Sequence, residues 1–450
     1  MTVSVLVGLI LQGGALWIVH MAIHGRWLRR PAALLLIAAV NGHGATEVMQ
    51  WAWPGRNPFR QWISQAAMDD WILLVSFAIL VYAVTYAFVV RNSEPAGRAD
   101  RDYVAGLPLK VLLAVVVPLL VVTWQGRGAL APVALGQTAA RDDYVTTGLA
   151  GQFLVPAVAM TGTVILVRYG TRWLIPLFAA QGIMLALAGT RTMIVSACLL
   201  SLVGACLCGV RPTRKQAAWV VVVVVFFTML ISSARFAAGR ETFSAGQGAE
   251  GRIEGLVGGV SALGSGKSNE AILDDVVYRF DSNTFGALVL QGLRSDVPPV
   301  GLATLKNSVL LMVPSFLNTG KLDSSLEARN EEAFIDRRFG IDQGVDWLPG
   351  LFGAMVSYFG PLGLLALAGM LGALFAAAEV VVLRKPTPAR FVLGIGLAQC
   401  ALLYVSGPQM VFITLRGVLL FVALLWIAGR LKATYESMSA DRNRVVAGDR

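Results

Sequence analysis

The stretch Leu185–Val210, LALAGTRTMIVSACLLSLVGACLCGV, carries one charge, Arg191, between Thr190 and Thr192. A guanidinium is a planar fork of donors suited to phosphate or pyrophosphate. Three further arginines could converge with it: Arg235 and Arg240, which open the longest polar segment, and Arg416 in the late apolar run VFITLRGVLL. Together they would make an anion clamp. The competing reading of Arg191 is an arginine snorkelling at a helix end. Carboxylates gather in two mixed clusters. DDVVYRFDSN brings Asp274, Asp275, Tyr278, Arg279 and Asp281 together, and EARNEEAFIDRRFGIDQGVDW brings Glu331, Glu332, Asp336, Arg337, Arg338 and Asp342. Such clusters are more often solvated ion pairs than active sites. The chemistry they could carry is proton abstraction by a carboxylate. Asp274, Asp275, Asp281 and Asp336 are the candidate bases, and Tyr278, Arg279, Arg337 and Arg338 the candidate substrate-orienting groups.

Other motifs carry less. GSGKS at 264–268 lacks the glycine that a phosphate loop needs five positions before Gly266, where Ser261 stands. The expectation there is a flexible linker. The three histidines, His20, His24 and His43, are all N-terminal. His43 and Glu47 lie four residues apart within one apolar run and can share a helix face. A proton relay or cation site is one reading of that pair, and a satisfied hydrogen bond between helices is the stronger one. Cys198, Cys206, Cys208 and Cys400 sit inside apolar runs, which points to buried thiols rather than a disulfide framework. No ligand set for a metal is visible, and no cofactor is expected.

These residues must be positioned by membrane helices. The chain is 56% hydrophobic and 14% charged, against about 25% charged in a soluble domain. Eleven apolar runs read as spans: 3–23, 32–53, 71–90, 109–124, 149–167, 173–190, 192–210, 216–233, 360–383, 391–406 and 411–429. The first lacks a basic flank and a cleavage site, so it reads as a retained helix rather than a signal peptide. Six connecting or terminal segments at alternate ends of the spans, with Lys110, hold 20 of the 37 Lys and Arg; the short connectors at the opposite ends hold five. By the positive-inside rule the basic set is cytoplasmic, the N-terminus outside and the C-terminus inside. The net charge of +10 is therefore a topology signal and a contact for lipid headgroups, not a nucleic-acid footprint.

One connector differs. Residues 234–346 form an outer loop with 11 basic and 15 acidic residues. Its Gly-rich start is expected to be mobile. Its later amphipathic stretches, AILDDVVYRFDSNTFGALVLQGL and GLATLKNSVLLMVPSFLN, are expected as short helices on the membrane surface or over a cavity. The organisation is then eight transmembrane helices in 1–233, the large extracytoplasmic loop in 234–350, three more helices in 351–430, and a cytoplasmic tail in 431–450.

The row of spans, the GTRT outer turn at 189–192, one large loop before the last three spans, and the YFGPLG segment from Tyr358 to Gly363 resemble the Wzy-type O-antigen or oligosaccharide repeat-unit polymerases. YFGPLG is similar to that family's aromatic-Phe-Gly-x-x-Gly entry to a late helix. Arg235 and Gly246, and Arg240 and Gly251, repeat its Arg-to-Gly spacing of eleven. The related O-antigen ligases use a histidine in the large loop, and this loop has none. Family members commonly have twelve spans, so eleven implies a missing first span or a miscounted one. The resemblance implies an all-α polytopic, GT-C-like membrane glycosyltransferase in the inner membrane of a bacterium. It would polymerise undecaprenyl-pyrophosphate-linked repeat units into O-antigen, capsule or exopolysaccharide. Arg191, Arg235, Arg240 and Arg416 would hold the pyrophosphate and a loop carboxylate would take the acceptor proton. Its partners would be the lipid-linked oligosaccharide, membrane lipids, and a chain-length regulator and flippase of the same pathway. The rival readings are a transporter or flippase for a lipid-linked or anionic solute, a ligase, and an assembly component without chemistry.

Overall fold

A computed structural model describes residues 2–91, 93, 101–107, 109–125, 138–186, 191–238, 249–262, 270, 273–274, 277, 281–310, 313, 331–341, 349–384, 388–423 and 427. All regular structure among them is helical. In chain order the helices are α1 (Val3–Ala22), α2 (Leu34–Val40), a wider π-turn (Asn41–Ala45), α3 (Thr46–Ala52), α4 (Gln65–Arg91), α5 (Arg101–Gly106), α6 (Leu109–Gln125), α7 (Thr138–Tyr169), α8 (Leu174–Ala186), α9 (Arg191–Leu207), α10 (Arg214–Ala238) and α11 (Ala249–Ala262). They continue with α12 (Ser282–Arg294), α13 (Ala303–Leu310), α14 (Glu331–Phe339), α15 (Gly350–Arg384), α16 (Pro388–Leu402) and α17 (Gly407–Ala423). Each of the eleven apolar runs falls on one or more of these helices. Five segments are long and apolar enough to cross a membrane: Val3–Ala22, Pro31–Ala52, Gln65–Arg91, Arg214–Ala234 and Gly350–Arg384. The chain is a helical membrane protein.

The bundle has two apolar cores. One is built around α4, which packs against α1 on one side and α15 on the other and buries Trp71, Tyr82 and Tyr86. The other joins α6 to α10 around Phe178, Ile194 and Ile231. All four cysteines are buried free thiols, as the apolar runs around them predict. One buried ion pair ties the first core together at its basic end. Glu379 of α15 accepts from Arg30 Nη1 (3.2 Å), from the Ala32 backbone N–H (2.9 Å) and from the Tyr86 hydroxyl (2.9 Å).

α15 is two helices in line. Gly360 takes φ 73°, a left-handed conformation that only glycine adopts without strain, and Pro361 restarts the helix. The YFGPLG segment is this break. Before it, Gly350–Tyr358 is buried residue after residue, so the short first half is sunk in protein rather than facing lipid.

The long loop departs from the sequence expectation in two places. Its Gly-rich start contains α11, which packs along α10; Ser233 Oγ donates to the Gly259 carbonyl (2.8 Å), and Gly259 lets the two backbones meet at Ala234. Leu256 and Gly259 face α10, while Ile253, Val257 and Val260 face outward, a helical spacing that outweighs the low helix propensity of the glycines. The second departure is α12. It does not lie on a surface: Ser282 to Ala287, Val289 and Leu290 are buried, and the helix is wedged between α4 and α15. Gly286 makes this wedge possible, because a Cβ there would overlap the Trp71 ring.

Gly286→Val should therefore eject α12 or distort α4. Overpacking of this kind costs about 1–3 kcal/mol. The check is the heating midpoint of the monodisperse peak in detergent, with Gly14→Ala, a helical position where a Cβ meets nothing within 4 Å, as the comparison. Equal midpoints for Gly286→Val and wild type would show that α12 is not wedged there.

Candidate functional site

Where α12 enters the bundle, five separate stretches of chain meet in a buried polar cluster. The π-turn starts it. One extra residue per turn widens the helix between α2 and α3, and the Thr46 hydroxyl donates to the Gly42 carbonyl (3.0 Å) inside it. This turn aims His43 and Glu47 at the same side chain, Asn283 of α12. Asn283 Nδ2 donates to Glu47 Oε1 (2.7 Å) and to the His43 carbonyl (3.0 Å), which fixes Oδ1 as the acceptor. His43 Nδ1–H then donates to Asn283 Oδ1 (2.6 Å), and Nε2 accepts from the Tyr404 hydroxyl (2.7 Å). Trp71 Nε1 also donates to Asn283 Oδ1 (3.2 Å). Both ring nitrogens of His43 are thus engaged by protein, in the hydrogen bonds between helices that the sequence favoured.

The charges of the cluster come from the connector between α3 and α4 and from the start of α12. Arg60 grips two carboxylates: Nη1 and Nη2 donate to Glu47, and Nε donates to Asp281 Oδ2 (2.8 Å). Asn57 Nδ2 adds a bond to Asp281 (2.7 Å). Asp281 is also the N-cap of α12, accepting from the backbone N–H of Asn283 (3.0 Å) and Thr284 (3.2 Å) and from the Thr284 hydroxyl (2.8 Å). Burial pulls the Arg60 guanidinium down, but Asp281 and Glu47 outweigh it and hold it above its ordinary value. Burial pushes the Asp281 carboxyl up, and Arg60, Thr284 and Asn57 more than reverse this, holding it below the usual carboxylate range. Asp281 is ionised, and its acceptor positions are occupied.

A second carboxylate nearby is in the opposite state. Glu331 begins α14, and its Oε2 accepts from the Gln409 backbone N–H (2.8 Å) while Gln409 Oε1 accepts from the Glu331 N–H (3.0 Å). This reciprocal pair fastens the loop to the start of α17. Glu331 Oε1 is buried with no hydrogen-bond partner among the described residues, as is the hydroxyl of Ser282. Burial pushes the Glu331 carboxyl up to about 7, with the Gln409 N–H opposing. Gly350 approaches both Ser282 and Tyr404, and Gly407 approaches Glu331.

The residues singled out in the sequence are spread unevenly over this end. Asp281 is in the cluster. Asp274 is exposed and pairs with Arg56 (2.7 Å). Asp336 is buried on α14, five residues beyond Glu331, and Arg337 and Arg338 point outward, with Arg338 Nε donating to the Pro298 carbonyl (3.2 Å). Arg416 is half-buried on α17. Arg191 opens α9 and Arg235 lies in the last turn of α10, but their side chains lie outside the described residues, as do Arg240, Asp275, Tyr278 and Arg279. Sequence reasoning missed Asn57, Arg60, Asn283 and Tyr404, and it placed Glu331 in the second cluster without choosing it as a base. Arg60 had a signal: it is one of only five basic residues in the short connectors at the ends of the spans opposite the basic set. Among the described residues no three His, Cys, Asp or Glu converge as metal ligands.

Two outcomes follow from the charges. Arg60→Ala would leave Glu47 and Asp281 buried without a counter-charge, which costs about 3–5 kcal/mol. Arg60→Lys should recover only part of this, since one ammonium cannot reproduce the fork. Loss of monodisperse protein in detergent measures both, and a wild-type midpoint for Arg60→Ala would refute the pairing. Glu331 has the reverse pH signature. Its folded carboxyl titrates above the unfolded one, so its contribution is complete below about pH 4.5 and is lost as pH rises through about 7, by an amount of order 3 kcal/mol. Glu331→Gln should remove that decline and be the more stable protein at about pH 8, whereas the Asp281 contribution fades only on acidification. Parallel pH curves for Glu331→Gln and wild type would exclude a buried, protonated Glu331. Compared with known proteins, the chain matches no family model, no curated protein and no solved structure.

Proposed function

We propose that the chain is a Wzy-type polymerase of lipid-linked oligosaccharide repeat units, acting at the outer face of a bacterial cytoplasmic membrane with its N-terminus outside. The observation that carries the reading is the docking of the long loop. Its helices α12 and α14 are built into the bundle end by Asp281, Asn283 and Glu331 rather than left as a surface tether. A loop held this way can present an acceptor to a donor anchored in the same membrane. The YFGPLG break, at the foot of the buried half-helix of α15, fits the same family pattern.

In this reading the acceptor hydroxyl oxygen attacks the anomeric carbon of the donor glycan. The bond from that carbon to the pyrophosphate oxygen breaks, and lipid pyrophosphate leaves with the electron pair. Arg191, with Arg235, Arg240 and Arg416, stabilises the negative charge that grows there. The hydroxyl proton passes to a loop carboxylate. Asp281 is committed to Arg60 and to capping α12, so it serves as a positioning residue. Of the other described loop acids, Glu331 has the environment a base needs: burial, an uncommitted oxygen and a carboxyl near 7. Asp336 stays a candidate beside it, and Asp274 and Asp275 belong to the flanking cluster. The chemistry calls for no cofactor.

The second reading is a transporter or flippase, favoured by one feature, the helix broken at Gly360. A single experiment separates the two. Deleting the gene for this chain in its host should leave single repeat units on undecaprenyl pyrophosphate at the outer face and abolish long polymer. Arg191→Ala should reproduce the deletion, and Arg191→Lys should restore little of the polymer. Repeat units trapped at the inner face would instead establish transport, and unaltered polymer would end the polymerase reading.

A further inference from the structure

On the outer surface of the first core, α1 and the helix from α2 to α3 part to leave an open groove of about 640 Å³. Its walls are apolar: Leu16 and Gly13 on α1, Ile37 and Val40 on α2. Trp17 is 64% exposed and Ile37 42% exposed, on helices apolar and long enough to cross a membrane. Such a face is in contact with lipid.

One end of the groove is polar in a defined way. Trp27 Nε1 lies 3.2 Å from His20 Nδ1. An indole nitrogen can only donate, so Nδ1 accepts and the neutral ring carries its proton on Nε2. The ring also stacks with Trp17, at 6.2 Å between centroids and 16°. Gly25, at φ 69°, turns the connector back beside His20, and its missing Cβ leaves the edge of the ring uncovered. The exposed Arg26 follows directly, in the basic connector HGRWLRRP. A fixed N–H donor thus stands at one end of an apolar trough, beside the connector that carries the exposed Arg26, on the side where the chain concentrates positive charge.

We propose that this groove is a binding site for an anionic phospholipid. The phosphate is held by His20 Nε2–H and Arg26, and one acyl chain lies along Gly13, Leu16, Ile37 and Val40. The apolar walls require an amphiphile rather than a soluble anion. The net positive mouth favours phosphatidylglycerol over zwitterionic lipid, and the flanking Trp17 and Trp27 are the aromatic residues suited to the headgroup level. The far end of the groove is formed by Asn41 and Ala45, the first and last residues of the π-turn. A chain seated there packs against the back of the turn that aims His43 at Asn283. The site stands apart from the polymerase reading and can be tested without any assay of activity.

The test uses the full-length protein in phosphatidylcholine nanodiscs carrying a minority of brominated lipid, which quenches nearby tryptophan. Brominated phosphatidylglycerol should quench more than brominated phosphatidylcholine at the same fraction, and Trp17→Phe should remove most of that excess. Arg26→Ala, an exposed substitution, should abolish the preference between the lipids. Gly13→Leu should abolish the excess by filling the groove, since a Cβ at Gly13 meets nothing within 4 Å. Equal quenching by the two lipids in wild type, or an excess that survives Gly13→Leu in monodisperse protein, would overturn the proposal. Displacement by free glycerol phosphate would also overturn it, because the site would then read phosphate alone.

Discussion

Arg60 between Glu47 and Asp281 is the interaction on which the loop-bearing end of the molecule depends. Both carboxylates are buried, and the guanidinium pairs with both at once. Because Asp281 also caps α12, the ion pair fixes where that helix begins. Because Glu47 also holds Asn283, it fixes how far the helix turns about its axis. Asn283 then meets His43 and Trp71, and Gly286, one turn on, meets the face of Trp71. Removing the central charge leaves the apolar contacts of α12 but no reason for its register. Buried charge is poor evidence for net stability. Here its consequence is specificity: one insertion depth and one rotation for a helix that an amphipathic pattern alone would leave on the surface.

The opposite end of the first core is fastened by a different arrangement of the same kind. Arg30 and Glu379 are a single pair, with Tyr86 and the Ala32 N–H filling the remaining acceptor positions of the carboxylate. That cluster joins the start of the second span to the long second half of α15 and involves no loop residue. The two clusters therefore divide the work. One closes the bundle within itself, and the other attaches the loop to it. The break at Gly360 lies between them, so the buried first half of α15 can follow the loop while the second half follows the bundle.

The apolar runs were legible as helices because membrane spans are long and every residue in them is constrained by the same lack of water. Even the kink within α15 was marked by Gly360-Pro361. The buried status of the cysteines followed from the same composition. The site was less legible. Asp281 stood out because acids cluster around it, but its partner Arg60 is 221 residues away, and local spacing carries no trace of such a pairing. His43 and Glu47 were found by their separation of four, yet what unites them is Asn283, an uncharged residue without a motif. α12 departs from the membrane-surface alternative for a physical reason. Its pattern of apolar and polar residues is that of a surface helix, and its polar face is buried only because other buried polar groups wait for it.

Glu331 and Asp281 show how environment separates two acids of one loop. Asp281 faces a guanidinium and two backbone N–H groups, all of which favour charge. Glu331 faces a single backbone N–H and apolar surroundings, which favour the neutral acid. An acid held ionised by a fixed cation can orient and cap, but it has little tendency to take a proton. An acid held near 7 can both take and return one at physiological pH. Sequence clustering alone treats the two alike, or ranks Asp281 first. Burial and partners reverse the order, and they do so where the start of α14 is fastened to the start of α17.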